Sequence, residues 1–338
     1  MSRIAVVLFN LGGPDGPAAV RPFLYNLFSD PAIIGAPAAV RKPLAAFIAW
    51  TREKSAIANY AMMGGGSPIV AETTAQADAV ADCLRIRRPV DEVEVFTVMR
   101  YWAPRAREVA EAVRAFAPDE VVLAPLYPQY STTTTASSVA EWREHYAGPC
   151  REICCWFVNP GLVDAHAALI ERTWREAGSP KVRLLFSAHG LPESISDSGD
   201  PYRWQIEQTC VAIAERLGAG WDWSLCFQSR VGPMKWIGPS TPEAIDKAAA
   251  DGVGVLIDPV AFVSEHVETR VELDHDYEKL ARSLGMKTYL RAPTVGVTAV
   301  FIAGLCDAVK RSMAKAGAQP DGPRCPAAAT RCGRRIAA

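Results

Sequence analysis

Short apolar runs rich in Val, Ile, Leu and Phe recur along the chain, each followed by turn residues and then a stretch with helical spacing. The runs are Ile4 to Phe9, Val93 to Val98, Val121 to Leu126, Ile153 to Val158, Val182 to Phe186, Leu225 to Gln228 and Val253 to Ile257. Continuous runs of this length suit strands buried on both faces, as in a parallel sheet. Helix-sized segments lie between them, among them Pro104 to Phe116, Val163 to Ala177, Trp204 to Leu217 and Pro242 to Ala250. Strand alternating with helix requires right-handed crossovers and predicts an α/β fold. The alternation falls into two halves of similar build. It predicts two Rossmann-like domains, residues 1–150 and 151–317, each a mainly parallel, four-stranded-type sheet flanked by helices, with a helix Val297 to Lys315 packing back.

Residues 318–338 break the pattern. They are rich in Pro, Gly, Ala and Arg, have no apolar period, and predict a disordered end unless something ties them down. Pro37 to Tyr60 places Ala39, Val40, Leu44, Phe47, Ile48 and Trp50 at helical spacing beside Arg41, Lys42, Arg52 and Lys54. The pattern favours a buried amphipathic helix, with a lip over a ligand or a bilayer-touching surface as the alternative. The stretch is too short to span a membrane.

Length fits two domains. The chain has 338 residues, 36 Lys plus Arg against 37 Asp plus Glu, and a formal charge of -1, so no charge excess argues for nucleic acid as a partner. Nearly half the residues are hydrophobic, which supplies sizeable cores. The N-terminal apolar run is short and leads into turn chemistry, so it reads as a strand, and cytoplasm is the expected location. Nine cysteines, an odd number, argue against a disulfide framework and leave metal ligation or burial.

Ligands of open α/β sheets bind at the carboxyl ends of strands. The first such loop, Asn10-Leu11-Gly12-Gly13-Pro14-Asp15, lacks G-x-G-x-x-G spacing, so no nucleotide is expected. Other strand-end loops carry Arg100-Tyr101-Trp102, Tyr127-Pro128-Gln129-Tyr130-Ser131, and Tyr60 ahead of Gly64-Gly65-Gly66-Ser67-Pro68; together they suggest a flat aromatic or apolar ligand. His189 stands at the end of a buried strand, between Ser187-Ala188 and Gly190-Leu191-Pro192, aimed into the crevice. Glu268, Glu272 and Asp276 fall at i, i+4 and i+8 of the helix after Ser264-Glu265-His266, one face of an α-helix. Like charges so spaced cost a few tenths of a kcal/mol per pair, roughly. They form either a solvated face or a proton or cation path to a site where Glu268 faces His189. An imidazole titrating near neutrality with carboxylates behind it can take a proton or meet a divalent metal.

These motifs, in this order, resemble the ferrochelatase family: NLGGP from Asn10, YxxxGGGSP from Tyr60, RYW from Arg100, YPQYS from Tyr127, SAHGLP from Ser187, GDPY from Gly199, FQSRVGPMKWIGP from Phe227 and FVSEHVETRVELDHDY from Phe262. The resemblance implies an enzyme that inserts ferrous iron into protoporphyrin IX. His189, as proton acceptor or metal ligand, and Glu268, Glu272 and Asp276 would be catalytic, with His189 and Glu268 meeting the substrate iron. It places Tyr60, Arg100, Tyr101, Tyr130, Ser131, Gln228, Ser229, Trp236 and His266 around the macrocycle, and residues 39–50 at a lip that touches the membrane in some members. Coproporphyrin III as the ring, another metal, and a non-catalytic tetrapyrrole carrier or sensor are the alternatives. Monomer and homodimer are both compatible.

Some members of the family hold a 2Fe-2S cluster. Here the tail offers Cys325 and Cys332, and a strand-end group offers Cys150, Cys154 and Cys155, from which four thiolates can be drawn. Thr132 stands where the animal-type pattern has its internal ligand. The opposing reading makes Cys154 and Cys155 buried strand residues and leaves the tail disordered. Cys83, Cys210, Cys226 and Cys306 read as core.

Overall fold

A computed structural model describes residues 2–230, 232, 234–314, 318–320 and 324–336. Lys315, where the last predicted helix ends, and Val231 and Pro233 of the FQSRVGPMKWIGP motif lie outside the described residues. The strands are β1 (Arg3–Asn10), β2 (Glu92–Met99), β3 (Glu120–Pro125), β4 (Arg151–Cys155), β5 (Val182–His189), β6 (Trp223–Gln228), β7 (Gly254–Asp258), β8 (Tyr289–Arg291) and β9 (Ala318–Pro320). The α-helices are α1 (Pro17–Phe28), α2 (Ala38–Ala61), α3 (Ile69–Arg87), α4 (Ala106–Phe116), α5 (Thr135–His145), α6 (Pro160–Glu176), α7 (Glu193–Asp197), α8 (Tyr202–Leu217), α9 (Thr241–Ala250), α10 (Glu278–Ser283), α11 (Ala299–Met313) and α12 (Gly333–Ile336). A π-helix covers Glu268–Tyr277.

The two sheets are parallel throughout. The first runs β2-β1-β3-β4, with short β9 on its edge, and the second β6-β5-β7-β8. Burial on both faces explains the continuous apolar runs: Ile4, Val6 and Leu8 of β1 face the core under α3 and α11, while Ala5, Val7 and Phe9 face the one under α4 and α5. β4 lies in the first sheet, so the division expected at residue 150 moves beyond Cys155. α6 joins the halves: Leu162, Ala165 and Leu169 pack into the first core, and Val163, Ala167 and Ile170 into the second. α11 returns from the second sheet to cover the first, through Phe301, Leu305 and Val309.

α2 corrects the expectation of a buried apolar face. Its small side chains, Ala45 and Ala49, are buried, while Val40, Phe47 and Trp50 stand more than half exposed. The tail is tied down where it is described: β9 pairs with β4, and residues 324–336 dock on the turn after α7.

Candidate active site

β5 and β6 end in register, with His189 opposite Gln228. This places the His189 ring at the carboxyl edge of the second sheet. Its Nδ1 donates to the Gly190 carbonyl, which leaves Nε2 facing Glu268 Oε1 at 3.5 Å. The imidazole remains 39% exposed, and the Trp236 ring lies 6.4 Å away, centroid to centroid. The other Glu268 oxygen meets His266 Nε2 at 3.1 Å, and His266 Nδ1 donates to the Ser264 carbonyl. One carboxylate thus bridges two imidazoles. Burial pulls the His189 imidazolium down, but Glu268, with help from Gly190 and Glu272, raises it to about 9. Burial pushes the Glu268 carboxyl up, and the two histidines outweigh it, holding the acid well below the ordinary carboxylate range.

The predicted acidic row exists in altered form. The segment is a π-helix, so a four-residue step falls short of a full turn and the three carboxylates have three different surroundings. Glu268 meets the histidines. Glu272 accepts from Ser229 N at 2.9 Å and Tyr277 Oη at 2.6 Å on one oxygen, and from Gln228 Nε2 at 3.0 Å and Ser229 Oγ on the other. Asp276 is exposed and receives a bond from His275. Gln228 Nε2 also donates to the Glu268 carbonyl, and Ser229 adopts a left-handed backbone at φ 63°, a strain compensated by its two bonds to Glu272. Gln228 and Ser229, expected around the macrocycle, therefore clamp the π-helix. Arg291 adds a second clamp, bidentate on Asp274 and paired with Glu265.

The remaining expected wall residues divide. Tyr60, at the end of α2, lies in the small core that also takes Val267, next to Glu268; burial and then Glu268 push its hydroxyl up. Arg100 is bound by Asp30 at 2.8 Å and Glu141 at 3.1 Å, and the Tyr101 hydroxyl donates to Asp30 at 2.9 Å. Those two support the wall from behind. Tyr130 and Ser131 are clasps between the halves: Tyr130 N donates to Gln205 Oε1, and Ser131 Oγ and Thr132 N donate to Asp200.

Sequence reasoning passed over the residues that hold the site across the two halves. Gln76, fully buried on α3, donates to the carbonyls of Val263 and Gly296 and accepts from Ser264 Oγ; Glu72, one turn earlier, accepts from Glu265 N. Three consecutive residues ahead of His266 are thus gripped by one helix of the first half. A lone Gln inside a helix gives no signal of this. A polar residue on the apolar stripe beside Ala77 and Val80 is the clue that was available.

The cysteines form a second group. Adjacent strand residues point to opposite faces, yet the register shift at the end of β4 brings Cys154 and Cys155 Sγ to 3.6 Å. Two thiolates about 2.3 Å from one tetrahedral metal stand about 3.8 Å apart, so the spacing fits two ligands of one ion. Cys325 contacts Cys332, and that contact, with burial and then Cys154, pushes its thiol up; Cys154, burial, Cys325 and Cys332 do the same for Cys155. Among the described residues no three His, Cys, Asp or Glu surround a single point as one ion requires. Cys150, named with them as a candidate, is elsewhere: it packs beside Trp142 and Tyr146, with its thiol on the Gly148 carbonyl at 3.5 Å. Docking of the tail needs glycine at two places. A Cβ at Gly333 would meet the Tyr130 ring at 2.5 Å, and one at Gly199, φ 95°, would meet Thr330 Oγ1 at 2.2 Å.

Known proteins place the chain in a family. The family model described as Ferrochelatase matches residues 3–313. A ferrochelatase of Phenylobacterium zucineum is 57% identical over 98% of this chain and 97% of its own length. One from Caulobacter vibrioides is 56% identical over 93% of this chain and 91% of its own. SirB from Bacillus subtilis, solved with Fe3+, shares the fold at 12% identity, with a TM-score of 0.53 over 92% of this chain and 96% of its own. The chain belongs to the ferrochelatase family.

Proposed function

We propose that this chain inserts ferrous iron into protoporphyrin IX, giving protohaem and releasing two protons. The observation that carries this reading is the His189 ring, with Nε2 3.5 Å from Glu268, at the open edge of the second sheet. Metalation must strip water from the ion, remove two pyrrole protons and bring metal and ring nitrogens together. Nε2 is the basic atom because Nδ1 is committed to Gly190. Near neutrality the ring is already protonated, so Nε2 must first pass that proton to solvent water, which reaches the 39% exposed ring. An approaching divalent cation favours the loss by reversing the local electrostatics. The freed Nε2 then takes one pyrrole proton, with Glu268 stabilising the imidazolium, passes it to solvent and takes the second in the same way. Glu272, its lone pairs fully engaged, serves as a fixed anion that draws the cation inward; it has no free site for a travelling proton. A tetrapyrrole carrier has no use for such a base, which favours the enzyme.

The exposed Phe47 and Trp50 favour the more apolar ring over coproporphyrin III. With Lys42 and Lys54 exposed on the same helix, they also favour peripheral contact of α2 with an anionic bilayer. The test is anaerobic metalation with both porphyrins side by side. Faster turnover of protoporphyrin is expected; faster turnover of coproporphyrin would reassign the ring, and metalation of neither would overturn the reading.

The same reading includes a 2Fe-2S cluster, which Cys154, Cys155, Cys325 and Cys332 would hold. It is supported by the 3.6 Å sulfur spacing and by the tail that brings the second pair alongside the first. When bound, such a group exchanges one electron. Burial and their sulfur neighbours push the Cys155 and Cys325 thiols up while free, and binding the group would release the thiol protons to solvent. Visible absorption of the anaerobically purified full chain is expected, and a colourless preparation would remove the cluster.

A further inference from the structure

Gln205 lies wholly buried in α8, and both ends of its amide are used. Oε1 accepts from Tyr130 N at 2.7 Å, across the boundary between the halves, and Nε2 donates to Cys325 Sγ at 3.2 Å. The acceptor bond fixes which way the amide points, since a backbone N–H can only donate. The NH2 group is therefore aimed at sulfur. Tyr130 itself is held by Gly333 of the tail against its ring. We propose that Gln205 tunes the reduction potential of the iron–sulfur group by donating to the Cys325 sulfur, with its orientation set by Tyr130.

The inference rests on the cluster reading given above. Reduction adds one electron and makes the thiolate sulfurs more negative, so an N–H donor strengthens its bond in the reduced state and raises the potential. The effect is larger where water is excluded, as it is around Gln205. Losing the donor should therefore make the group harder to reduce.

Gln205→Glu and Gln205→Leu in the full chain separate this role from a structural one. Gln205→Glu keeps an acceptor for Tyr130 N and nearly the same shape, and replaces the donor to sulfur with an oxygen that adds a negative charge when ionised, so Gln205→Leu is the uncharged control. Gln205→Leu loses both bonds. The measurement is a spectroelectrochemical titration with dithionite as reductant, the reduced form being counted by electron paramagnetic resonance. Both variants should have a more negative midpoint. At a fixed potential the reduced-to-oxidised ratio should fall about tenfold, which corresponds to about 59 mV for one electron. An unchanged midpoint in Gln205→Leu would overturn the inference, since a shift confined to Gln205→Glu would report only the added charge. So would loss of the cluster from Gln205→Glu with circular dichroism unchanged, because the amide would then govern loading. A wild-type chain with no visible band would overturn the cluster reading itself, a result recognisable before any variant is made.

Discussion

At the scale of single residues, the site is one carboxylate between two imidazoles. Glu268 is the main group that reverses the effect of burial on His189. Glu268→Gln should therefore lower the titration of the His189 ring from about 9 to its ordinary value of about 6.5 or below, read from its NMR resonance against pH. A midpoint that stays near 9 would mean the pairing is unimportant. The sign also sets a stability effect. The pairing adds stability that is complete below about pH 6.5 and is lost as pH rises through about 9. A second buried pair lies away from this site. His166 Nδ1 meets Asp258 Oδ1 at 2.9 Å, both side chains have no exposure, and His166 Nε2 and Asp258 Oδ2 have no partner among the described residues. Removing one member strands a buried charge, so His166→Leu should cost about 3–5 kcal/mol in denaturant unfolding, whereas His166→Leu with Asp258→Val should stay near wild type. A double variant as unstable as the single would contradict this.

At the scale of elements, the loop ahead of His266 and the π-helix are held from outside by Gln76, Gln228, Ser229 and Arg291. Gln76→Leu leaves the Gly296 carbonyl and the Ser264 hydroxyl without the amide inside the protein, while the Val263 carbonyl keeps only its bond from Gly296 N. It should cost about 3 kcal/mol by urea unfolding and lower turnover without abolishing porphyrin binding. Unaltered stability would show that the loop holds its own shape. The strand ends that present His189 and Gln228 were legible in the sequence because buried parallel strands are continuous apolar runs. The π-helix was not, since Glu268, Glu272 and Asp276 at four-residue steps fit an α-helix equally well. α2 was read inside out: alanine packing against α1 leaves the larger Phe47 and Trp50 on the outside, and apolar periodicity records only that one face differs. The contacts of Arg100 and Tyr130 were not legible because their partners, Asp30 and Gln205, are distant in sequence and carry no motif.

Across the whole molecule, α6, α11 and the tail tie the two halves together. His189 comes from the second sheet, and the loop that leads to Glu268 is gripped by a helix of the first. No helix among the described residues is long and apolar enough to cross a membrane, so contact with a bilayer has to use a surface such as α2. Phe47→Glu with Trp50→Glu should reduce co-sedimentation with anionic vesicles severalfold; equal binding would remove that surface. The central claim, that His189 beside Glu268 takes the proton which metalation releases, is tested most directly by following anaerobic ferrous insertion into protoporphyrin IX in wild type and His189→Ala, with porphyrin binding measured on the same preparations. The account predicts unchanged porphyrin binding and turnover at least about a hundredfold lower in the variant. Equal turnover in the two proteins would contradict it.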